Sequence, residues 1–247
     1  LEVNKVSAPI EVHLRIPGRW SSPRELIERL PPDCRFTPSA LVLPDGTQIE
    51  FSATDADDQF PAVFRTSCRC PATAIELDTI DNYTVNVLLS GPGGSMKAAR
   101  TMMEAGSAIV GAGGAGVFID NSALSHGGQA WREMTEDGKP DALSFAFVGI
   151  IRGQAEVRTM GMHVLGLRDI IMKRADADAD DMAIIEIIRY LAGGDKPVDN
   201  GHVIADLDGP RFQAFAEDGD AGLTGSVMYN PFGSLRLVSM RDITERN

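Results

Sequence analysis

The chain is poor in cysteine, histidine, aromatic residues and basic charge, and each shortage closes off a class of function. Its three cysteines, Cys34, Cys68 and Cys70, are too few, and odd in number, for a disulfide framework. They fit a reducing compartment, and no signal-peptide pattern is visible in the first residues, so a cytoplasmic location is expected. Its four histidines, His13, His126, His163 and His202, are scattered, and none falls in a His-Glu-x-x-His pattern. Cys68-Arg69-Cys70 is spaced too tightly for a zinc knuckle and has no second pair, so no metal is expected. Lysine and arginine number 23 against 35 aspartates and glutamates, a net charge of −12. Without a basic patch to meet phosphates, a nucleic-acid partner or an anionic membrane surface is not expected. No run of about 18 apolar residues is present, so no membrane-spanning helix is expected.

What remains is ordinary for a globular protein: 43% hydrophobic and 23% charged residues in a chain of 247, enough for one large domain or two small ones. The clearest element runs over 82–122. Tyr83, Val85, Val87 and Leu89 alternate with Thr84, Asn86 and Leu88 as a strand does. Gly91, Pro92, Gly93 and Gly94 break the run, and Ser95 stands where a helix N-cap belongs. From Met96 the apolar residues recur at helical spacing until Gly111, Gly113 and Gly114 close the helix. Val117, Phe118 and Ile119 form a second strand. The result is a βαβ unit, for which parallel pairing of the two strands is expected.

Around this unit the pattern predicts a strand at 10–16, a helix opened by Ser21 or Ser22 with Pro23 and running to Leu30, and a hairpin about Pro44-Asp45-Gly46. It predicts short helices at 59–69 and 129–134, and a linker at 137–140. Strands follow at 146–151, 156–164, 169–174, 202–205, 212–216 and 235–240. An amphipathic helix is expected at 180–191, with Met182, Ile185 and Ile188 on one face, joined by Ile184 or Leu191. The fold class is α+β: mixed sheets with flanking helices, a ferredoxin-like βαβ element, and two packed lobes at 8–136 and 141–243.

No motif assembles a catalytic set. The loop at 90–97 carries backbone N–H groups and Lys97 toward a helix N-terminus, a place for an anion, but its spacing is not that of a P-loop. Gly111, Gly113 and Gly116 match a dinucleotide fingerprint in letters only, because they close a helix instead of opening one. No cofactor is expected. A calcium loop starting at Asp176 would need Gly where Asp181 stands and Glu where Ile187 stands. Ser125-His126 with Asp120 lies just past a strand end, yet adjacent Ser and His face each other poorly, and no nucleophile elbow is present. The residues offered as a binding cleft are Gly91, Gly93, Gly94, Ser95, Lys97, Asp120, His126 and Trp131.

The 82–122 unit together with VRTMGMHVLGLRDIIM at 157–172 resembles a bacterial family of uncharacterised α+β proteins, a domain of unknown function. The carrying residues are Thr159, Gly161 and Met162, then Gly166, Asp169 and Ile170, then the 180–191 helix and Asn200-Gly201-His202. The resemblance implies a fold and no activity. The leading expectation is therefore a non-enzymatic cytoplasmic interaction or regulatory protein with a protein partner. One alternative is a small-molecule enzyme of hydrolase type with a cleft near Ser95, Asp120 and His126. Another is an immunity protein whose acidic surface meets a basic toxin.

Overall fold

A computed structural model describes residues 9–177, 182–194, 197–205 and 211–244. The first sheet holds β1 (Glu11–Gly18), β2 (Arg35–Phe36), β3 (Ala40–Val42), β4 (Gln48–Asp55), β5 (Cys68–Cys70), β6 (Val85–Pro92), β7 (Gly116–Ile119) and β8 (Leu124–Gly127). Their order is β2-β3-β4-β6-β1-β7-β8-β5. The second holds β9 (Gly149–Arg152), β10 (Glu156–Met160), β11 (Asp169–Lys173), β12 (Val203–Ala205), β13 (Arg211–Glu217) and β14 (Ser234–Ser239), ordered β12-β13-β14-β11-β10-β9. The helices are α1 (Pro23–Arg29), α2 (Phe60–Thr66), α3 (Ala74–Asp81), α4 (Met96–Gly111), α5 (Gly128–Asp137), α6 (Pro140–Phe147), α7 (Met182–Gly193) and α8 (Met240–Thr244). The chain is an α+β protein with two mixed sheets.

The βαβ unit forms, with one correction. β6 and β7 run in the same direction but do not pair; β1 lies between them, antiparallel to both. The inserted strand follows from its pattern. Val12, Leu14 and Ile16 are buried against α4, while Glu11, His13 and Arg15 occupy the other face. Ser95 caps α4 by accepting from the Ala98 N–H at 3.1 Å. Gly91 is required where helix meets strand, since a β-carbon there would lie 2.5 Å from the Met102 sulfur.

Other corrections have local causes. A helix the hydrophobic pattern did not announce, α3, is started by a capping box. Thr73 accepts from the Glu76 N–H, and the Glu76 carboxylate accepts from the Thr73 N–H. The segment at 137–140 is not a linker but a tight corner: Gly138 ends α5 in the left-handed region (φ 55°) and Pro140 starts α6. α6 then takes Ala146 and Phe147, so the strand expected at 146–151 begins only at Gly149. On α7 the buried residues include Ile184, Ile187, Ile188 and Leu191, while Met182 faces outward. Asp180 and Asp181, offered as the start of that helix, lie outside the described residues.

One apolar core runs through both sheets. It passes from Leu14 and Ile109 through Trp131 and Phe147 to Val157 and Leu237. Each such side chain, fully buried, contributes about 1.5–3 kcal/mol. A smaller cluster of Phe60, Phe64, Tyr83 and Phe118 fills the space between α2, α3 and the first sheet.

Candidate functional site

Of the residues offered from the sequence, the structure brings His126 and Trp131 together, ring centres 6.0 Å apart, but buries both in the core. The Gly93 N–H donates to the Ile10 carbonyl and the Gly94 N–H to the Val164 carbonyl, so two donors of the proposed anion loop are already used. Ser95 is committed to capping, and Lys97 is exposed. Asp120 accepts two bonds from Arg15 Nε, at 2.8 and 3.0 Å. His126 is fully buried, with Nε2 2.9 Å from the Ala146 carbonyl oxygen. Trp131 is also fully buried; it donates to the Met103 carbonyl and packs against Phe147. Ser125 donates to the Phe64 carbonyl at 2.6 Å and is no nucleophile for His126. His126 and Trp131 are thus core residues, their polar atoms turned to backbone carbonyls. Their place on strand and helix is legible in sequence, but their burial is set by α6 folding over them.

A different cavity has the better chemistry, and the segment 157–172 builds it. β10 ends at Met160, and Gly161 (φ 97°) turns the chain into a 3-10 turn, Met162–Leu165. Gly166 (φ 80°) turns it again, so that β11 starts at Asp169 beside Thr159. Both turns are closed by neighbours. A β-carbon on Gly161 would run into the Phe147 carbonyl, and one on Gly166 would lie 2.5 Å from the Gly94 carbonyl oxygen. The glycine loop of the first sheet is therefore a buttress for this corner.

Asp169 is held on both oxygens. Thr159 donates its hydroxyl to Oδ1 at 3.1 Å and accepts the Ile170 N–H at 2.7 Å. The Met162 N–H lies 3.4 Å from Oδ1, and Asn230 donates to Oδ2 at 2.9 Å. Asn230 is itself fixed by donating to the Leu167 carbonyl and accepting from the Phe232 N–H. Burial pushes the Asp169 carboxyl up to about 6, against the pull of Asn230, Thr159, the Met162 amide and the Arg158 charge. Above it opens a cavity of about 300 Å³, whose lining includes Arg158, Asp169, Glu217, Asp218, Asp220 and Asn230. Arg158 is paired with Asp220 at 3.1 Å, and Glu217 with Arg236 at 2.6 Å.

Chemically, this arrangement is a carboxyl poised close to neutral pH in an acidic-walled pocket. It can take up a proton or face a cation. Its lining carries the hydroxyls of Thr159 and Ser234 but no histidine, cysteine or lysine. Among the described residues no group of three or more His, Cys, Asp or Glu side chains is placed to hold a metal ion. The motif residues Thr159, Gly161 and Asp169 are local in sequence. Asn230 and Glu217 come from distant segments, and no spacing rule could have joined them to Asp169.

No family model, curated protein or solved structure matches the chain. No helix among the described residues is long and apolar enough to cross a membrane.

Proposed function

We propose that this is a non-enzymatic regulatory protein of the cytoplasm that binds a small organic cation, of the amine class, in the cavity above Asp169. The observation that carries the reading is the Asp169 carboxyl, titrating at about 6 and fixed by Thr159 and Asn230 in a pocket whose walls add Glu217, Asp218 and Asp220. An ionised carboxylate with its orientation already set loses little freedom when an ammonium group arrives. Binding in preference to turnover is supported by a lining without histidine, cysteine or lysine. The Thr159 hydroxyl is engaged both as donor and as acceptor.

Three further readings belong to this proposal. The cytoplasmic location is supported by three cysteines that are all free. Membership of an uncharacterised bacterial α+β family is supported by the meeting of Thr159, Gly161 and Asp169 at one corner. A ferredoxin-like core in the first sheet is supported by its four central strands. They lie in the order β4-β6-β1-β7 with every neighbour antiparallel, and α1 and α4 lie in the connections.

The test is calorimetric titration of the full chain with putrescine as the probe. Binding is expected near neutral pH, weakening about tenfold at about pH 5, where a group of this acidity is mostly protonated. Asp169→Asn is expected to remove it. Equal affinity at both pH values, or wild-type binding by the Asp169→Asn variant, overturns the reading.

A further inference from the structure

In a protein of net charge −12, three guanidinium groups from three separate elements line a single groove. Arg69 comes from β5, Arg152 from β9 and Arg189 from α7. The groove encloses about 530 Å³, and Asp141 is the carboxylate among its lining residues. Most of the remaining lining is apolar: Leu124, Phe145, Val148, Ile150, Ile185 and Ile188. Cationic groups over an apolar bed match one kind of ligand, an anion with a hydrophobic body.

We propose that this groove binds a small organic carboxylate carrying an aliphatic or aromatic chain. Arg69 is its anchor. Nη1 of Arg69 donates to the Phe145 carbonyl at 2.7 Å, and Cζ lies 4.9 Å from the centre of the Phe145 ring. The guanidinium is therefore held in place before any ligand arrives. Among the described residues this is its one hydrogen bond, which leaves most of its five donors for a carboxylate fork. Desolvation lowers the Arg69 pKa; the nearby Cys70 thiol opposes that, and the Arg152 charge adds to it. Two cations sharing a partly dry groove repel each other, and an arriving anion relieves both terms. Arg189 is more exposed and already paired with Glu186 at 2.7 Å, so it attracts the ligand more than it clamps it. The apolar lining sets the class. An inorganic phosphate meets the guanidinium groups but leaves the isoleucines bare.

The experiment is calorimetric titration of the full chain with octanoate, with octanol as the uncharged analogue and with inorganic phosphate. Octanoate is expected to bind at one site, and octanol and phosphate each about tenfold more weakly or not at all. Arg189→Gln is expected to weaken octanoate several-fold. Arg69→Lys keeps the charge but loses the planar fork, and is expected to weaken it about tenfold. Arg24→Gln, on the exposed face of α1 and in the lining of neither cavity, is expected to change nothing. Octanol binding as well as octanoate reports a greasy surface and overturns the proposal. Phosphate binding as well as octanoate removes the role of the apolar body and overturns it too. If Arg69→Lys fails to fold, Arg189→Gln decides: unchanged octanoate affinity in that variant refutes the site.

Discussion

Acidification from about pH 7.5 to about pH 5 is expected to cost this protein about 3 kcal/mol of stability, chiefly through two buried histidines. His126 and His163 are almost wholly enclosed. Each has Nε2 beside a backbone carbonyl, of Ala146 and Val227 respectively, and each has an Nδ1 with no partner. An imidazolium there would bury a charge and leave an N–H unsatisfied. Burial accordingly pushes both down to about 4, from an ordinary 6.5, with the carbonyl bonds opposing. Because the folded values are depressed, the unfolded chain takes up protons first, and stability is full above 6.5 and falls as pH drops toward 4. At about 1.4 kcal/mol per pH unit, each histidine costs about 2 kcal/mol by about pH 5.

Asp169 works the other way. Its folded value, about 6, lies above the ordinary 3.8, so its contribution is present at low pH and lost as pH rises through 6. Discounted for its partial contact with solvent, it returns about 1 kcal/mol at about pH 5. The net loss is a large share of a typical stability of about 5–15 kcal/mol. Urea unfolding followed by the fluorescence of the buried Trp20 and Trp131 reads it directly. A midpoint that stays flat or rises on acidification refutes the argument. So does a His126→Gln, His163→Gln double variant that keeps the full wild-type slope.

Other substitutions test the framework around the sites. Gly166→Ala combines a φ of 80° with the close approach to the Gly94 carbonyl, and a loss of about 2–4 kcal/mol is expected in the urea midpoint. Thr73→Ala removes half of the capping box of α3 and is expected to cost about 1 kcal/mol by the same measurement. Trp131→Ala empties the centre of the shared core and removes the indole bond to the Met103 carbonyl; about 3–5 kcal/mol is expected, read as a drop in thermal midpoint by circular dichroism.

The sequence pattern carries much of the first sheet and little of the site. α4 is legible end to end, because Ser95 caps it, its apolar residues recur at helical spacing and glycines close it. The α+β class follows from that unit and the strands around it. The neighbour of β6 is not legible: β1 stands some seventy residues earlier, and alternation alone cannot say which strand lies beside which. α6 is missed because its residues are apolar nearly all round, which reads equally well as a buried strand. His126 and Trp131 look functional as isolated polar and aromatic residues, yet both are core groups whose polar atoms find backbone partners. Asp169 sits inside the 157–172 segment, but its partner Asn230 is 61 residues away, and only folding brings them together.

The insertion of β1 between β6 and β7 has a consequence for synthesis. β1 is made before either of its partners, so a nascent chain that has only reached α3 carries this strand with both edges unpaired and its Val12, Leu14 and Ile16 row without α4 to cover it. The centre of the sheet closes only once Ile119 has emerged and folded back. Until then the middle of the future protein is its most adhesive part, and a stalled or truncated chain ending before β7 is a substrate for chaperones or for its own aggregation.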